Sequence, residues 1–209
     1  MTHILPLHPP AFARLPEAFY SRVSPEPLHT PYWVAQNHVL AAEIDMPLAD
    51  FNDDMLAYLS GSAAHYDPAP IASVYSGHQF GVYVRQLGDG RAMLLGESSD
   101  AQGRAWEWQL KGAGKTPYSR FADGRAVLRS SIREYLCSEA MHGLGIATTR
   151  ALALTGSHDA VYREEPETAA IVTRIAPSFI RFGHFEYLYH TGRHEQLAPL
   201  ADFLIARHF

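Results

Sequence analysis

The run Trp106-Glu107-Trp108-Gln109-Leu110-Lys111 constrains the fold more than any other stretch of the chain. Its strict alternation puts both tryptophans and Leu110 on one face and Glu107, Gln109 and Lys111 on the other, a period of two that a strand satisfies and a helix does not. The chain must therefore contain a sheet, and Lys111 ends one of its strands on the polar face.

Other elements follow from the same kind of pattern. Val82, Val84 and Leu87 precede Gly88-Asp89-Gly90, and Ala92-Met93-Leu94-Leu95 follows, which predicts a hairpin closed by a glycine-rich turn. Two further strands are predicted over residues 149–155 and 169–175, with the polar stretch 157–168 as their hairpin loop. Helical spacing is present over residues 50–61, which end at Gly61, and over 131–141, which stop at Gly143 and Gly145. Ser131-x-x-Glu134 fits a capping box at the start of the second helix, and Cys137 reads as a small packing residue within it. Leu197, Leu200, Ala201, Leu204 and Ile205 make an amphipathic helix that reaches Phe209 without a stop signal, so the chain is expected to be C-terminally truncated. Seven prolines among residues 1–31 predict an arm with little regular structure laid over the domain. The expected organisation is an arm with first elements (1–75), a strand-rich lobe (76–177) and the start of a helical lobe (178–209).

Composition excludes several function classes. With 47% hydrophobic and 19% charged residues, the chain is globular rather than disordered. A net charge of −5 leaves no broad electrostatic footprint for nucleic acid or anionic membrane, so any phosphate chemistry must be local. The single cysteine rules out an internal disulfide framework and a CxxC zinc site. No apolar run approaches the ~20 residues of a membrane span, and residues 1–6 lack the basic start of a secretory signal. A cytoplasmic protein is expected.

Local motifs taken singly leave alternatives open. Gly114-Lys115-Thr116 matches the end of a P-loop, but Gln109 stands where that motif needs glycine and Pro117 hinders the following helix. His190 and His194 share i,i+4 spacing without an HExxH frame, so no metal site is expected from them. Lys111 and Glu134 lie 23 positions apart on a predicted strand and helix, the arrangement with which kinase folds hold a lysine against phosphates. A solvated Lys111 and a capping Glu134 fit the same spacing. Arg174 and Arg181 suit phosphate oxygens, and surface ion pairs equally.

Longer motifs resolve this by resemblance. Residues 76–81 (Ser-Gly-His-Gln-Phe-Gly), 86–92 (Gln-Leu-Gly-Asp-Gly-Arg-Ala), 109–120, 123–135, 171–176 and 181–186 are similar, in order, to the selenoprotein O (SelO, also YdiU) family. The resemblance covers nearly the whole chain. It implies an α+β, protein kinase-like (pseudokinase) fold: a strand-rich N-lobe with one pairing helix, plus the start of a helical C-lobe. It also implies transfer of AMP from ATP to Ser, Thr or Tyr hydroxyls of protein substrates, with the nucleotide reversed relative to ordinary kinases. On this resemblance Gly88, Gly90 and Arg91 form the nucleotide-contacting turn, and Lys111 binds phosphate with Glu134 as its ion-pair partner. Asp123 and Gly124 contact nucleotide from a loop, and Arg174 and Arg181 stabilise phosphate charge. The family's catalytic base and its Mg²⁺ or Mn²⁺ ligands are expected beyond Phe209, so weak nucleotide binding without AMP transfer is expected of this chain alone. Conventional phosphoryl transfer and a non-catalytic nucleotide-binding module are the alternative readings.

Overall fold

A computed structural model describes residues 7–209; the reading of residues 1–6 as no secretory signal lies outside them. The chain is an α+β fold built on one eight-stranded sheet, every described pairing of which is antiparallel. Its strands are β1 (Tyr20–Arg22), β2 (Tyr32–Gln36), β3 (Ile71–Ser73), β6 (Ala92–Ser99), β7 (Ala105–Lys111), β8 (Ala126–Val127), β9 (Arg150–Tyr162) and β10 (Pro166–Ala176), in the spatial order β1-β3-β6-β7-β10-β9-β2 with β8 also paired to β10. A separate two-stranded hairpin holds β4 (Gly77–Gln79) and β5 (Val82–Val84).

Both faces of the sheet are covered, which explains why Ala92-Met93-Leu94-Leu95 is apolar without alternation. Met93, Leu95, Trp108 and Leu110 pack on one face against α1 (His38–Glu43) and α2 (Asp53–Leu59), through Leu40, Ile44, Met55 and Leu59. Leu94 and Ile71 point to the other face, toward Phe12, Phe19, Phe179 and the helices α4 (Phe182–His190) and α5 (Leu197–His208). Each fully buried large apolar side chain contributes roughly 1.5–3 kcal/mol. Asparagines set both short helix starts: Asn37 Oδ1 accepts from Leu40 N–H at 3.0 Å, and Asn52 Oδ1 from Asp54 and Met55 N–H, each at 3.0 Å.

The alternation in β7 is as predicted, with one addition: its polar face is buried too. Glu107 is 1% exposed and Gln109 likewise 1%. Glu107 Oε2 accepts the Phe179 N–H at 2.8 Å, and Arg207 of α5 lies 3.4 Å from its other oxygen while bonding Glu97 at 2.7 Å. This polar face thus fastens the segment leading into α4, and α5, to the sheet. Burial, partly opposed by Arg207 and the Phe179 N–H, pushes the Glu107 carboxyl from 4.5 up to about 7. Between those values the folded chain holds a proton that the unfolded chain has lost, so this group's contribution to stability falls as pH rises through the window. Wild-type stability relative to Glu107→Gln is expected to drop by on the order of 3 kcal/mol between pH 4.5 and 8. Denaturant unfolding of both proteins across that range checks it; a difference independent of pH would contradict it.

Five expectations are corrected. Gly88-Asp89-Gly90 does not close a hairpin between Val82–Val84 and Ala92–Leu95. The tight turn falls earlier, at Phe80 (φ 55°) and Gly81 (φ 76°), so β5 pairs back on β4 and β6 pairs with β3 and β7. Of the stretch expected to be an arm, the described residues 7–31 are more than that: Phe12, Phe19 and Leu28 are buried and β1 is a sheet member, with Pro10 and Pro16 each opening a short 3₁₀ turn. The stretch expected to loop between the last strands is largely strand, since β9 and β10 extend to Tyr162 and from Pro166. Finally, α3 (Leu128–Gly143) starts directly from β8 with Val127 as its N-cap, so Ser131 caps nothing and Glu134 lies in the second turn; Cys137 is exposed, not packed. The amphipathic helix ending near Phe209 forms as α5, its Leu200 fully buried.

Candidate functional site

Three glycines with left-handed backbone, Gly112 (φ 102°), Gly114 (φ 111°) and Gly124 (φ 72°), allow the chain after Lys111 to fold back as a compact loop. Gly114 N–H donates to Gly124 O at 3.2 Å across its base. The loop then grips the Gly88–Gly90 turn. Thr116 Oγ1 donates to Asp89 O at 2.7 Å, Ser119 Oγ donates to Gly90 O at 2.6 Å, and Tyr118 lies so close that a Cβ on Gly88 would come within 2.7 Å of Tyr118 Cβ.

From within, Asp89 ties the same turn to β3. Its carboxylate accepts from Ser73 N–H at 2.9 Å, Ser73 Oγ at 2.6 Å and Tyr75 Oη at 3.3 Å. Burial nonetheless raises its pKa, against the lowering effect of those bonds and of Arg181. The side chain of Asp89 is therefore a strut beneath the turn, whose Gly88 and Gly90 line a cleft.

That cleft has a volume of about 710 Å³ and is lined by Gly88, Gly90, Arg91, Lys111, Asp123, Gly124, Arg174 and Arg181. All eight residues expected to touch nucleotide are thus brought to one cavity, from the turn before β6, from β7 and β10, from the loop before β8 and from the N-cap of α4. Glu134 stands behind Lys111: Lys111 Nζ donates to Glu134 Oε2 at 2.5 Å, and Arg174 Nη1 lies 3.4 Å from the other oxygen. Desolvation lowers the Lys111 pKa, with Glu134 opposing, and burial lowers that of Arg174 in the same way. One carboxylate shared by two cations leaves a net positive cluster in a partly desolvated wall, where a fixed charge acts more strongly than in water. The Arg174 guanidinium lies 5.1 Å from the ring centre of Phe179, and that of Arg181 lies 5.2 Å from Tyr75.

Asp123 faces the cleft but is already engaged. Arg163 bonds both of its oxygens, at 2.7 and 3.0 Å, and holds its pKa below the usual range. Among the described residues no group of three or more His, Cys, Asp or Glu could hold a metal ion, and both carboxylates lining the cleft are held by protein partners.

Several lining residues carry no signal at the level of sequence. Arg120, Arg163, Phe80, Phe121 and Tyr162 complete the rim. Phe80 and Phe121 are 96% and 94% exposed, and their loops are joined by Arg120 Nη2 donating to Gln79 Oε1 at 2.6 Å. The arrangement as a whole is a cationic cleft, with a glycine turn packed tightly against the loop that grips it, in a chain of net negative charge. It suits a polyphosphate.

Comparison with known proteins identifies relatives of this chain. The family model described as protein adenylyltransferase SelO matches residues 4–209. A protein nucleotidyltransferase YdiU of Thiobacillus denitrificans is 55% identical over 199 residues, which cover 95% of this chain and 41% of the relative. Relatives of the same name from Variovorax paradoxus and Vibrio cholerae are 57% and 54% identical, covering 96% and 95% of this chain and 40% of each relative. The chain therefore spans about two fifths of the length of the curated relatives it matches.

Proposed function

The chain belongs to the protein adenylyltransferase SelO family, and on that footing we propose that it is the ATP-binding part of a kinase-like enzyme that moves AMP onto protein hydroxyl groups. The observation that carries this reading is the Lys111–Glu134–Arg174 cluster in the wall of the cleft lined by Gly88, Gly90 and Arg91. Lys111, Arg174 and Arg181 neutralise the phosphates, the Gly88–Arg91 turn lies along them, and Gly124 with Asp123 closes the site from the loop. Transfer at phosphorus asks little covalent work of a protein, so positioned positive charge supplies most of the acceleration.

In the proposed reaction a Ser, Thr or Tyr hydroxyl oxygen attacks the α-phosphorus, the bond from that phosphorus to the bridging oxygen breaks, and pyrophosphate leaves. The hydroxyl proton must pass to a base. Neither cleft carboxylate is suited to accept it, since Asp89 is buried under the turn and Asp123 is paired with Arg163. The 209-residue chain is accordingly expected to bind ATP without transferring AMP. The family's Mg²⁺ or Mn²⁺ would travel with ATP; among the described residues no three His, Cys, Asp or Glu stand together to hold it. Among the described residues no helix is long and apolar enough to cross a membrane.

Incubation with ATP labelled at the α- or the γ-phosphate tests the reading, using this chain and a chain extended to the relatives' length. Label from the α-phosphate is expected on protein with the extended chain only. Label from the γ-phosphate would mean ordinary phosphoryl transfer, and α-label transferred by the 209 residues alone would mean that they contain a base.

A further inference from the structure

The helix that carries Glu134 is weakly anchored by apolar contact. Of the 16 residues of α3 only Ser131 is buried, while Leu136 is 61% exposed and Leu144, its C-cap, 74%. Its apolar purchase on the sheet is Leu128 and Tyr135, both partly buried, against a small cluster of Ala151, Leu154, Ala170 and Val172. The start of α3 is fixed by β8 running straight into it, but apolar contact is non-directional and does not fix how the later turns lie on the sheet.

Directional contacts come, in the first turn, from Arg129, whose exposed side chain forks onto Glu167 of β10 at 3.0 and 2.9 Å, and further along from two arginines on the sheet. Arg174 pairs across strands with Ala151, and Arg150 with Ile175 at the start of β9; the two pairs fall on alternate faces, yet both guanidinium groups reach carboxylates of α3. Arg174 reaches Glu134 at 3.4 Å. Arg150 grips Glu139 as a fork, with Nε 3.0 Å from Oε1 and Nη2 2.8 Å from Oε2, and the Ala151 N–H donates to the same carboxylate at 2.9 Å. Its remaining nitrogen, Nη1, donates to Glu43 at the end of α1 at 2.8 Å. The Arg150 side chain is only 7% exposed, so its pairing is largely shielded from solvent. A two-bond fork to a planar carboxylate fixes angle as well as distance. Glu139 stands five residues beyond Glu134, about 7 Å further along the helix axis.

We propose that the Arg150–Glu139 fork is a positioning device for the phosphate site: it sets how α3 lies on the sheet beyond its first turn, and through it the approach of Glu134 to Lys111. This rests on the reading that Lys111 holds phosphate. Neither Arg150 nor Glu139 lines the cleft, so their effect on a nucleotide must pass through the helix.

The test uses the 209-residue chain, in which Lys111 and Lys115 are the only lysines, so side-chain lysine NMR gives one signal for each. Glu139→Gln is expected to move the Lys111 signal toward its position in Glu134→Gln, leave Lys115 in place and weaken ATP binding about tenfold. In a Lys111→Ala background the same substitution should change ATP affinity less than twofold. Arg150→Met should act in the same direction; if it fails to fold, Glu139→Gln, which keeps an acceptor oxygen for the Ala151 N–H, decides alone. An unmoved Lys111 signal, or an equal loss of affinity with and without Lys111, overturns the proposal. If the unaltered chain binds no ATP, the functional reading fails, while the Lys111 signal still decides whether the fork positions the pair.

Discussion

Lys111→Ala is expected to lower AMP transfer by the extended chain by on the order of 10²-fold or more, and to weaken ATP binding by the 209-residue chain. The reason lies in what surrounds the lysine. Its ammonium is partly desolvated and shares Glu134 with Arg174, so it is held in place before the nucleotide arrives and little reorganisation is needed when phosphate charge develops. Alanine removes that charge and also leaves Glu134 partnered by Arg174 alone, at 3.4 Å, which turns one wall of the site toward neutrality. Lys111→Arg separates charge from geometry: it keeps the cation but not the compact ammonium that fits 2.5 Å from Glu134, and should recover only a minor part of the loss. Parallel transfer assays and ATP titrations of the three proteins measure this. Activity of Lys111→Ala within twofold of the unaltered protein would contradict it.

Gly124→Ala is expected to destabilise the fold by on the order of 3 kcal/mol or more, which for a chain of this size lowers the melting temperature by roughly 10 °C. Two costs combine at this position. The backbone is left-handed, with φ of 72°, and a Cβ built there would sit 2.1 Å from Gly114 O and 2.5 Å from Lys115 N. Both are backbone atoms that cannot rotate away, so the loop from Gly112 to Arg125 must open, and with it the grip of Thr116 and Ser119 on the Gly88–Gly90 turn. Gly103→Ala supplies the comparison. Its φ is 78° but nothing lies within 4 Å of the added carbon, so only the left-handed strain is incurred, about 1 kcal/mol. Thermal melting of the two variants should show the large difference; equal shifts would mean that the Gly114–Gly124 contact does not hold the loop.

How much of this was legible in the sequence depended on how local each determinant is. The strand β7 announces itself because period-two alternation with two tryptophans has no other solution, and α5 because its apolar spacing is helical throughout. The eight cleft residues came from resemblance to a family, since spacing alone left Lys111 and Glu134 open to a bland reading. The hairpin across Gly88-Asp89-Gly90 was misplaced because both that turn and Phe80-Gly81 can reverse a chain, and the choice between them is made by tertiary bonds from Ser73 and Thr116 to Asp89. The same holds for α3. Its start is set by β8 running straight into it, which leaves Ser131 buried beneath the helix rather than at its cap. Arg150 carries no local pattern at all. Its partners, Glu43 and Glu139, are 107 and 11 residues away, and only the folded chain brings them together.

Whether the cleft holds a nucleotide through Lys111 is tested most directly by ATP titration of the 209-residue chain followed by lysine side-chain NMR. With only two lysines in the chain, the assignment is settled by Lys111→Ala. The account predicts that the Lys111 signal shifts saturably as ATP is added while Lys115, exposed on the loop beyond the strand, stays where it is. A Lys111 signal that does not respond, or a response confined to Lys115, would contradict it.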